Sequence, residues 1–196
     1  MTEIPDIYID VSDIFSDEFI ETFETDLKAD GLNLTINVRK QQTQFALAEW
    51  AVPSFLAAYI LKSYFDGFLK EAGKDHYSVL KNWLTSKMKI LKTMTTTTVV
   101  SENSPDKIDI NNTQSKAFSI ESITLDGVKI KFLFDNNLNI EQWILLSDKS
   151  LELLNDHFTN YPIDKISLQI KEIHIRGNQI FGLIDNNNLE WTFKGY

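Results

Sequence analysis

The first residues that suggest chemistry are Glu71, Asp75 and His76, which lie close together in the sequence. Carboxylate and imidazole groups are ligands for divalent cations, and they also transfer protons. Acidic residues at this spacing are equally typical of the first turn of a new helix, where they interact with the helix dipole. We favour the helix-start interpretation and predict no metal site here.

The remaining candidates for catalysis or metal binding are isolated in the sequence. His157 and His174 have no second ligand at helical spacing, and His174 is typical of a solvated position on an open sheet face. The asparagine-rich segment from Asp185 to Asn188 has too few acids for calcium and predicts a hairpin turn. The sequence contains no cysteine, no nucleophilic serine motif and no glycine-rich phosphate loop. We therefore predict a non-enzymatic protein without a cofactor.

Charge is distributed unevenly along the chain. The formal net charge is -9 over 196 residues, composed of -8 in residues 1–49, +4 in residues 50–92 and -5 in residues 93–196. Because phosphate binding needs clustered Lys and Arg, this balance disfavours a nucleic-acid partner. An acidic surface is instead complementary to a basic protein.

The N-terminal segment predicts a compact strand, helix and strand unit. Apolar and polar residues alternate from Ile7 to Val11 and again from Leu32 to Val38, which indicates two strands. Between them, SDEFIETFETDLKADG has an apolar face at helical spacing, acids in its first turn and a glycine after its last turn. The acids at the extreme N-terminus do not fit a secretory signal, so we expect a cytoplasmic protein.

The longest apolar run, from Trp50 to Leu61, carries no charge. A membrane-spanning helix needs about 20 mostly apolar residues, so this run is too short to span. We predict a central core helix from Val52 to Leu84 that is broken near Gly73. Membrane association through residues 50–61 is the alternative.

The C-terminal half is predicted to consist mainly of strands. A linker or long loop is expected at residues 101–116, followed by a hairpin with its turn at Asp126-Gly127. A short helix is predicted from Ser147 to Phe158. The apolar positions from Ile166 to Phe193 then predict an antiparallel meander.

These elements together predict an α+β fold. Residues 1–100 would form an α/β unit with the central helix, and residues 117–196 a strand-rich subdomain. One integrated domain is the alternative organisation.

Residues 45–84, with the stretch FDGFLKEAGKDHYSVLKNWL, and the order of elements around them resemble a group of small bacterial proteins. Members of that group are predicted as constant components beside effector proteins of conflict or defence systems. The resemblance implies an accessory or adaptor role, and it carries over no catalytic residues.

We therefore predict that the chain binds another protein, either an effector or a basic toxin that it occludes as an immunity protein. An enzyme with an unrecognised site is a further alternative. Two groups of charged side chains are the candidate contacts. The acidic group lies on the first helix and the basic group on the central helix: Asp17, Glu18, Glu21 and Glu24, and Lys62, Lys70, Lys74 and Lys81.

Overall fold

The computed structural model describes residues 4–40, 51–72, 75–94, 113–175 and 177–195. The strands are β1 (Ile7–Ser12), β2 (Leu34–Arg39), β3 (Leu56–Ile60), β4 (Gln114–Ile123), β5 (Lys129–Asp135), β6 (Gln179–Asp185) and β7 (Glu190–Gly195). The helices are α1 (Asp17–Leu27), α2 (Leu69–Ala72), α3 (Asp75–Leu91), α4 (Ile140–Asn160) and α5 (Lys165–Glu172), and a π-helical turn, Tyr64–Phe68, precedes α2. The fold thus combines helices with a mixed sheet, as the α+β prediction requires.

The seven strands of the described residues form one sheet with the order β2-β1-β3-β4-β5-β6-β7. Three neighbouring pairs are parallel, namely β1 with β2, β3 with β4, and β5 with β6. Each parallel pair is consecutive in the chain, and the connection between its strands contains helix, because a parallel pair requires a crossover. The antiparallel pairs β1 with β3 and β4 with β5 join these units to one another. In the parallel pair of β3 and β4, a strand from the first half of the chain lies directly beside one from the second.

The main core lies between the helices and one face of the sheet. Ile9, Ala58 and Ile120 from three adjacent strands are fully buried, as are Leu84 on α3 and Leu151 on α4. Burying a side chain of leucine or isoleucine size contributes about 2 kcal/mol. A second, smaller apolar cluster on the opposite face contains Leu133, Phe181 and Leu183.

The predicted N-terminal unit is confirmed. β1 and β2 are parallel and flank α1 in sequence. Ser16 caps α1, because its hydroxyl oxygen accepts a hydrogen bond from the Phe19 amide at 3.3 Å. The buried residues of the helix are Phe23 and Leu27, as its apolar spacing predicts.

The predicted core helix from Val52 to Leu84 is wrong in its first part. Leu56–Ile60 form strand β3, which has neighbours on both sides. A strand covered on both faces is apolar without alternation, so its pattern is the same as that of a buried helix. Helical structure follows β3, and α3 begins at Asp75 after the predicted break at Gly73, which itself lies outside the described residues.

The C-terminal meander is also wrong in part. The hairpins at Asp126-Gly127 and at residues 186–189 are confirmed, with Gly127 at a φ of 77°. Residues 165–172 form α5 and not a strand, because Ile166 and Ile170 face the core at a spacing of four and Asp164 caps the helix. The predicted short helix is real but longer, since α4 spans Ile140–Asn160 and begins at a capping box on Asn139.

Two further predictions concern the connections. Most of the predicted linker at residues 101–116 lies outside the described residues, but Gln114, Ser115 and Lys116 already belong to β4. Trp50 also lies outside them. Among the helices of the described part of the chain, none has the length and apolar character needed to cross a membrane.

Candidate functional site

Helix α1 presents an acidic surface to solvent on the side opposite its buried Phe23 and Leu27. All four carboxylates predicted from the sequence are exposed: Asp17, Glu18, Glu21 and Glu24. Within the described ranges, none of the four forms an ion pair with a cation of the same chain. The negative charge of this surface is therefore available to a partner.

The lysines predicted from the sequence have a different environment. They are Lys62, Lys70, Lys74 and Lys81, of which Lys74 lies outside the described residues. Lys62 and Lys70 lie 2.7 and 3.5 Å from the carboxylate of Asp66, and the hydrogen bond from Lys62 lowers the pKa of that carboxyl. Lys81 lies 2.8 Å from Asp148 on α4. The three described lysines thus contact carboxylates of their own chain, and these carboxylates are not those of α1.

A lysine that sequence reasoning did not select joins α1 to α3. The Nζ atom of Lys87 lies 3.1 Å from Asp26 Oδ2 and donates to Thr22 Oγ1 at 2.9 Å. It also lies 5.2 and 5.0 Å from the ring centroids of Phe19 and Phe23. Only 5% of Lys87 is exposed, so this lysine holds α1 in place and does not offer charge to solvent.

Strand β2 forms the edge of the sheet next to α1. Its residues Thr35, Asn37 and Val38 are exposed, and Val38 retains 51% of its accessible surface. A groove of about 370 Å³ lies between the end of α1 and this strand. Four of its lining residues are apolar and two are charged: Ala29, Leu32, Leu34 and Ile36, and Glu24 and Lys28.

The sheet face opposite the helices carries a row of polar side chains. Tyr8 on β1 is the cross-strand partner of Tyr59 on β3, Tyr59 is the partner of Glu121 on β4, and Glu121 is the partner of Lys131 on β5. The rings of Tyr8 and Tyr59 meet edge to face with centroids 5.3 Å apart. Because residues in register lie close on one face, these four side chains form one continuous row.

Glu121 is the centre of this row. Its Oε1 atom accepts a hydrogen bond from Ser119 Oγ at 2.9 Å and lies 3.8 Å from Lys131 Nζ. Burial raises the pKa of Tyr59, and the charge of Glu121 and its hydrogen bond with the hydroxyl raise it further. Burial lowers the pKa of Lys131, while Glu121 opposes that shift. Glu121 and Lys131 are only 7% and 2% exposed, so they form a buried ion pair.

Two cations of this face hold the segment that precedes β3. Lys131 Nζ donates to the carbonyl oxygen of Val52 at 2.6 Å, and Arg39 Nη2 donates to that of Ser54 at 2.8 Å. Arg39 Nε also donates to Asp10 Oδ2 at 2.8 Å. The donors are therefore used within the chain, and the arrangement stabilises the fold.

The pairing of Glu121 with Lys131 has a recognisable pattern in the sequence. The two residues have opposite charges and lie at nearly equal distances from the Asp126-Gly127 turn. Hairpin pairing brings such residues opposite each other on one face. The pairing of Glu121 with Lys131 could therefore be predicted from the hairpin, but the burial of that face of the sheet could not.

His157, Asp164 and Ser167 are the residue types of a catalytic triad, but their geometry is different. His157 Nδ1 lies 3.0 Å from Asp164 Oδ1, and Ser167 Oγ donates to the other carboxylate oxygen. His157 Nε2 accepts from the Leu125 amide at 3.0 Å, so it has no lone pair left for a serine. All three side chains are buried, and the network joins α4, α5 and the β4–β5 turn.

The other two histidines have simple environments. His76 is buried, with Nδ1 3.1 Å from the Tyr64 hydroxyl and Nε2 2.9 Å from the carbonyl oxygen of Leu27. His174 is exposed and precedes β6, so its predicted position in a strand is wrong. In the ranges that the structure describes, no three His, Cys, Asp or Glu side chains form a group able to hold a metal ion.

Comparisons with protein-family models, with curated proteins and with solved structures found no match to this chain. The element order behind the resemblance of residues 45–84 included an apolar helix leading into FDGFLKEAGKDHYSVLKNWL, whereas Leu56–Ile60 of that range form strand β3.

Proposed function

We propose that this chain is a non-enzymatic protein-binding component whose acidic helix α1 receives a basic protein. The observation that carries the proposal is the exposed row of carboxylates on α1, which the fold orients away from the core. Complementary charge speeds the encounter of two proteins and selects against partners of the same sign.

The arrangement of the charged side chains supports α1 over the lysines as the contact surface. Lys62, Lys70 and Lys81 have carboxylate partners within the chain, so a partner would have to compete with these contacts. The carboxylates of α1 require no such exchange. Lys87 fixes the orientation of α1, which lowers the entropic cost of binding at its surface.

The partner class follows from the same charge argument. Two kinds of partner present the cations that α1 needs. One is a basic toxin that this chain would occlude as an immunity protein, and the other is an effector with a basic surface that it would accompany as an accessory protein. A bacterial conflict system is the setting that the resemblance of residues 45–84 implies. Membrane contact has less support, because Leu56–Ile60 lie in the middle of the sheet.

The proposal is tested by selecting a phage-displayed library of random peptides on the immobilised wild-type chain. Two charge-reversed variants are then compared with the wild type. One carries Glu18→Lys, Glu21→Lys and Glu24→Lys on α1. The other carries Glu141→Lys, Glu152→Lys and Glu172→Lys on α4 and α5, where the three acids are also exposed.

The two variants have the same net charge, so a difference between them reports position and not overall charge. We expect selected peptides to be rich in Lys and Arg and to associate about tenfold more slowly with the α1 variant at low salt. At high salt the difference should shrink because exposed charges are screened. Selected peptides without excess basic residues, or equal rates for both variants, would contradict the proposal.

A further inference from the structure

Within the part of the chain that the structure describes, strand β2 is an edge strand without the usual protection against pairing. It aligns with β1 over all six of its residues, without a bulge. Natural edge strands are commonly protected by proline, outward charges or bulges, because their unpaired backbone groups would otherwise pair with another strand. β2 contains no proline, and its one charged side chain, Arg39, turns inward to Asp10 and to the carbonyl oxygen of Ser54.

The direction of the backbone groups of β2 follows from two hydrogen bonds to the β1 segment. Asn33 and Arg39 accept from the amides of Ile7 and Asp13, so their carbonyl groups point toward β1. Successive residues of a strand direct their backbone groups to opposite edges. The amides and carbonyls of Leu34, Ile36 and Val38 therefore face the open edge.

The opposite edge of the sheet is protected. In β7, Glu190 is bound by Lys149 and Lys165 at 2.6 and 3.2 Å, and Lys194 is exposed. Close to the end of the strand, the carbonyl oxygen of His174 packs against Gly195 and leaves no room for a Cβ atom there, so another chain segment covers this end. The two edges thus differ, and only β2 offers a regular free strand within the described residues.

The groove beside β2 defines which side chains a new strand would need. Leu34 and Ile36 pair in register with the buried Ile7 and Ile9, so their side chains lie on the helix face of the sheet. A strand added along β2 would place alternate side chains on that same face, next to the groove and below Glu24. Apolar residues would extend the core there. The residues between them would point to the opposite face of the sheet, so cations that meet the carboxylates of α1 would have to flank the paired part of the segment.

We infer that β2 accepts an extended segment of the partner as an eighth strand of the sheet. The segment has apolar residues at alternate positions, with Lys or Arg around them. Main-chain hydrogen bonds supply affinity in this mode, and the groove supplies specificity. The basic character of the segment rests on the proposed function, whereas the strand pairing rests on the backbone of β2.

A second copy of this chain is a poorer occupant of the same edge. Symmetric pairing of β2 with its copy would bring two α1 helices to one side of the joined sheet. Each helix carries the same four exposed carboxylates, so like charges would oppose the contact.

The test uses two short synthetic peptides of the same composition, Val, Ile, Lys and Arg. In one, apolar and basic residues alternate, and in the other the apolar residues are grouped at one end. The two peptides have the same net charge, so their long-range attraction to the acidic protein is similar, but only the first can place all its apolar residues on one face of a strand. We expect the alternating peptide to bind at least about tenfold more tightly.

Amide hydrogen exchange followed by NMR locates the contact. Binding of the alternating peptide should slow exchange at Leu34, Ile36 and Val38 and leave Thr35 and Asn37 unchanged, since these two already face β1. Val38→Pro should weaken binding, because it removes an outward donor while the bonds to β1 remain. Thr192→Val, on the opposite edge strand β7, is the control and should leave peptide binding unchanged.

The outcomes separate the two proposals. Equal binding of both peptides, with loss in the α1 charge variant and no change at the β2 amides, overturns strand addition and leaves the proposed function intact. Protection of the β2 amides that persists in the α1 variant overturns the basic-partner proposal and keeps strand addition. The β2 amides are also measured without peptide at increasing protein concentration. If their protection then increases and sedimentation shows dimers, the occupant of the edge is a second copy of the chain, and the inferred partner segment is overturned.

Discussion

At the residue scale, the buried pair of Glu121 and Lys131 illustrates how a charged group is tolerated inside this protein. Both groups pay a desolvation penalty, which their mutual attraction and their hydrogen bonds to Ser119 and Val52 offset. Burial of the cation lowers the pKa of Lys131, as expected when the charged form loses water. Removing the charge of one member of the pair should therefore lower stability more than removing both charges.

We expect Lys131→Met alone to lower the free energy of unfolding by about 3 kcal/mol, because Glu121 is left buried without its cation. Combining Lys131→Met with Glu121→Gln should recover much of this loss, since the remaining amide is neutral. Urea denaturation followed by tryptophan fluorescence measures the free energy of unfolding of the single and the double variant. Lys129→Met, on the same strand but exposed, is the control and should change stability by less than about 0.5 kcal/mol. Strictly additive effects of the two substitutions would show that no coupled pair exists.

At the element scale, β3 decides the architecture. It is antiparallel to β1 and parallel to β4, so it joins the N-terminal unit to the rest of the sheet. The segment Leu56–Ile60 has only five residues, all but Tyr59 buried. Because the chain has no cysteine, the register of β3 can be probed with introduced cysteine pairs.

The variant with Tyr8→Cys and Tyr59→Cys should form an intramolecular disulfide under mild oxidation. These residues are direct partners in the antiparallel pair of β1 and β3, where Cα atoms lie within disulfide range. The control pairs Tyr8→Cys with Ala58→Cys, whose side chains point to opposite faces. Thiol counting and mass spectrometry distinguish the two. A disulfide in the control, or none in either variant, would contradict the register.

At the scale of the whole molecule, the sheet connects the two halves of the chain. β3 pairs with β4, and Lys81 on α3 contacts Asp148 on α4. A continuous core includes residues from both halves, such as Leu84 and Leu151. Structures with such shared contacts commonly unfold in one cooperative step.

We expect Leu84→Ala to lower the stability of both halves equally, by about 3 kcal/mol, through the cavity that it leaves. Hydrogen exchange with mass spectrometry should show the same loss of protection in peptides from α3 and from α4. Val79→Ala, on the same helix with Val79 38% exposed, is the control and should have little effect. Loss of protection confined to residues before 95 would indicate that the halves unfold separately.

Much of the fold follows from local patterns. The alternation in β1, the apolar face of α1, and the turn at Asp126-Gly127 each depend on neighbouring residues alone, and each prediction is confirmed. The acidic surface of α1 belongs to the same class, because amphipathic spacing already separates its carboxylates from its buried face.

The errors occur where distant contacts decide. The run at β3 is apolar on every side, so only its pairing with β1 and β4 distinguishes a strand from a helix. Ile166 and Ile170 fit a strand by alternation and a helix by their spacing of four, and packing selects the helix. The position of β2 at an edge of the described sheet could not be predicted, because strand order depends on pairings between residues far apart in the sequence.

By itself, the sequence determined the elements whose hydrogen bonds and apolar faces are local, together with the acidic character of α1. The tertiary structure alone decided that the apolar run after Trp50 leads into a central strand, that Lys62, Lys70 and Lys81 contact the chain's own carboxylates, and that β2 is an edge strand of the sheet formed by the described residues. The physical reason is that sheet pairing and ion pairing depend on which distant segments meet, whereas helical periodicity and turn chemistry depend on neighbours.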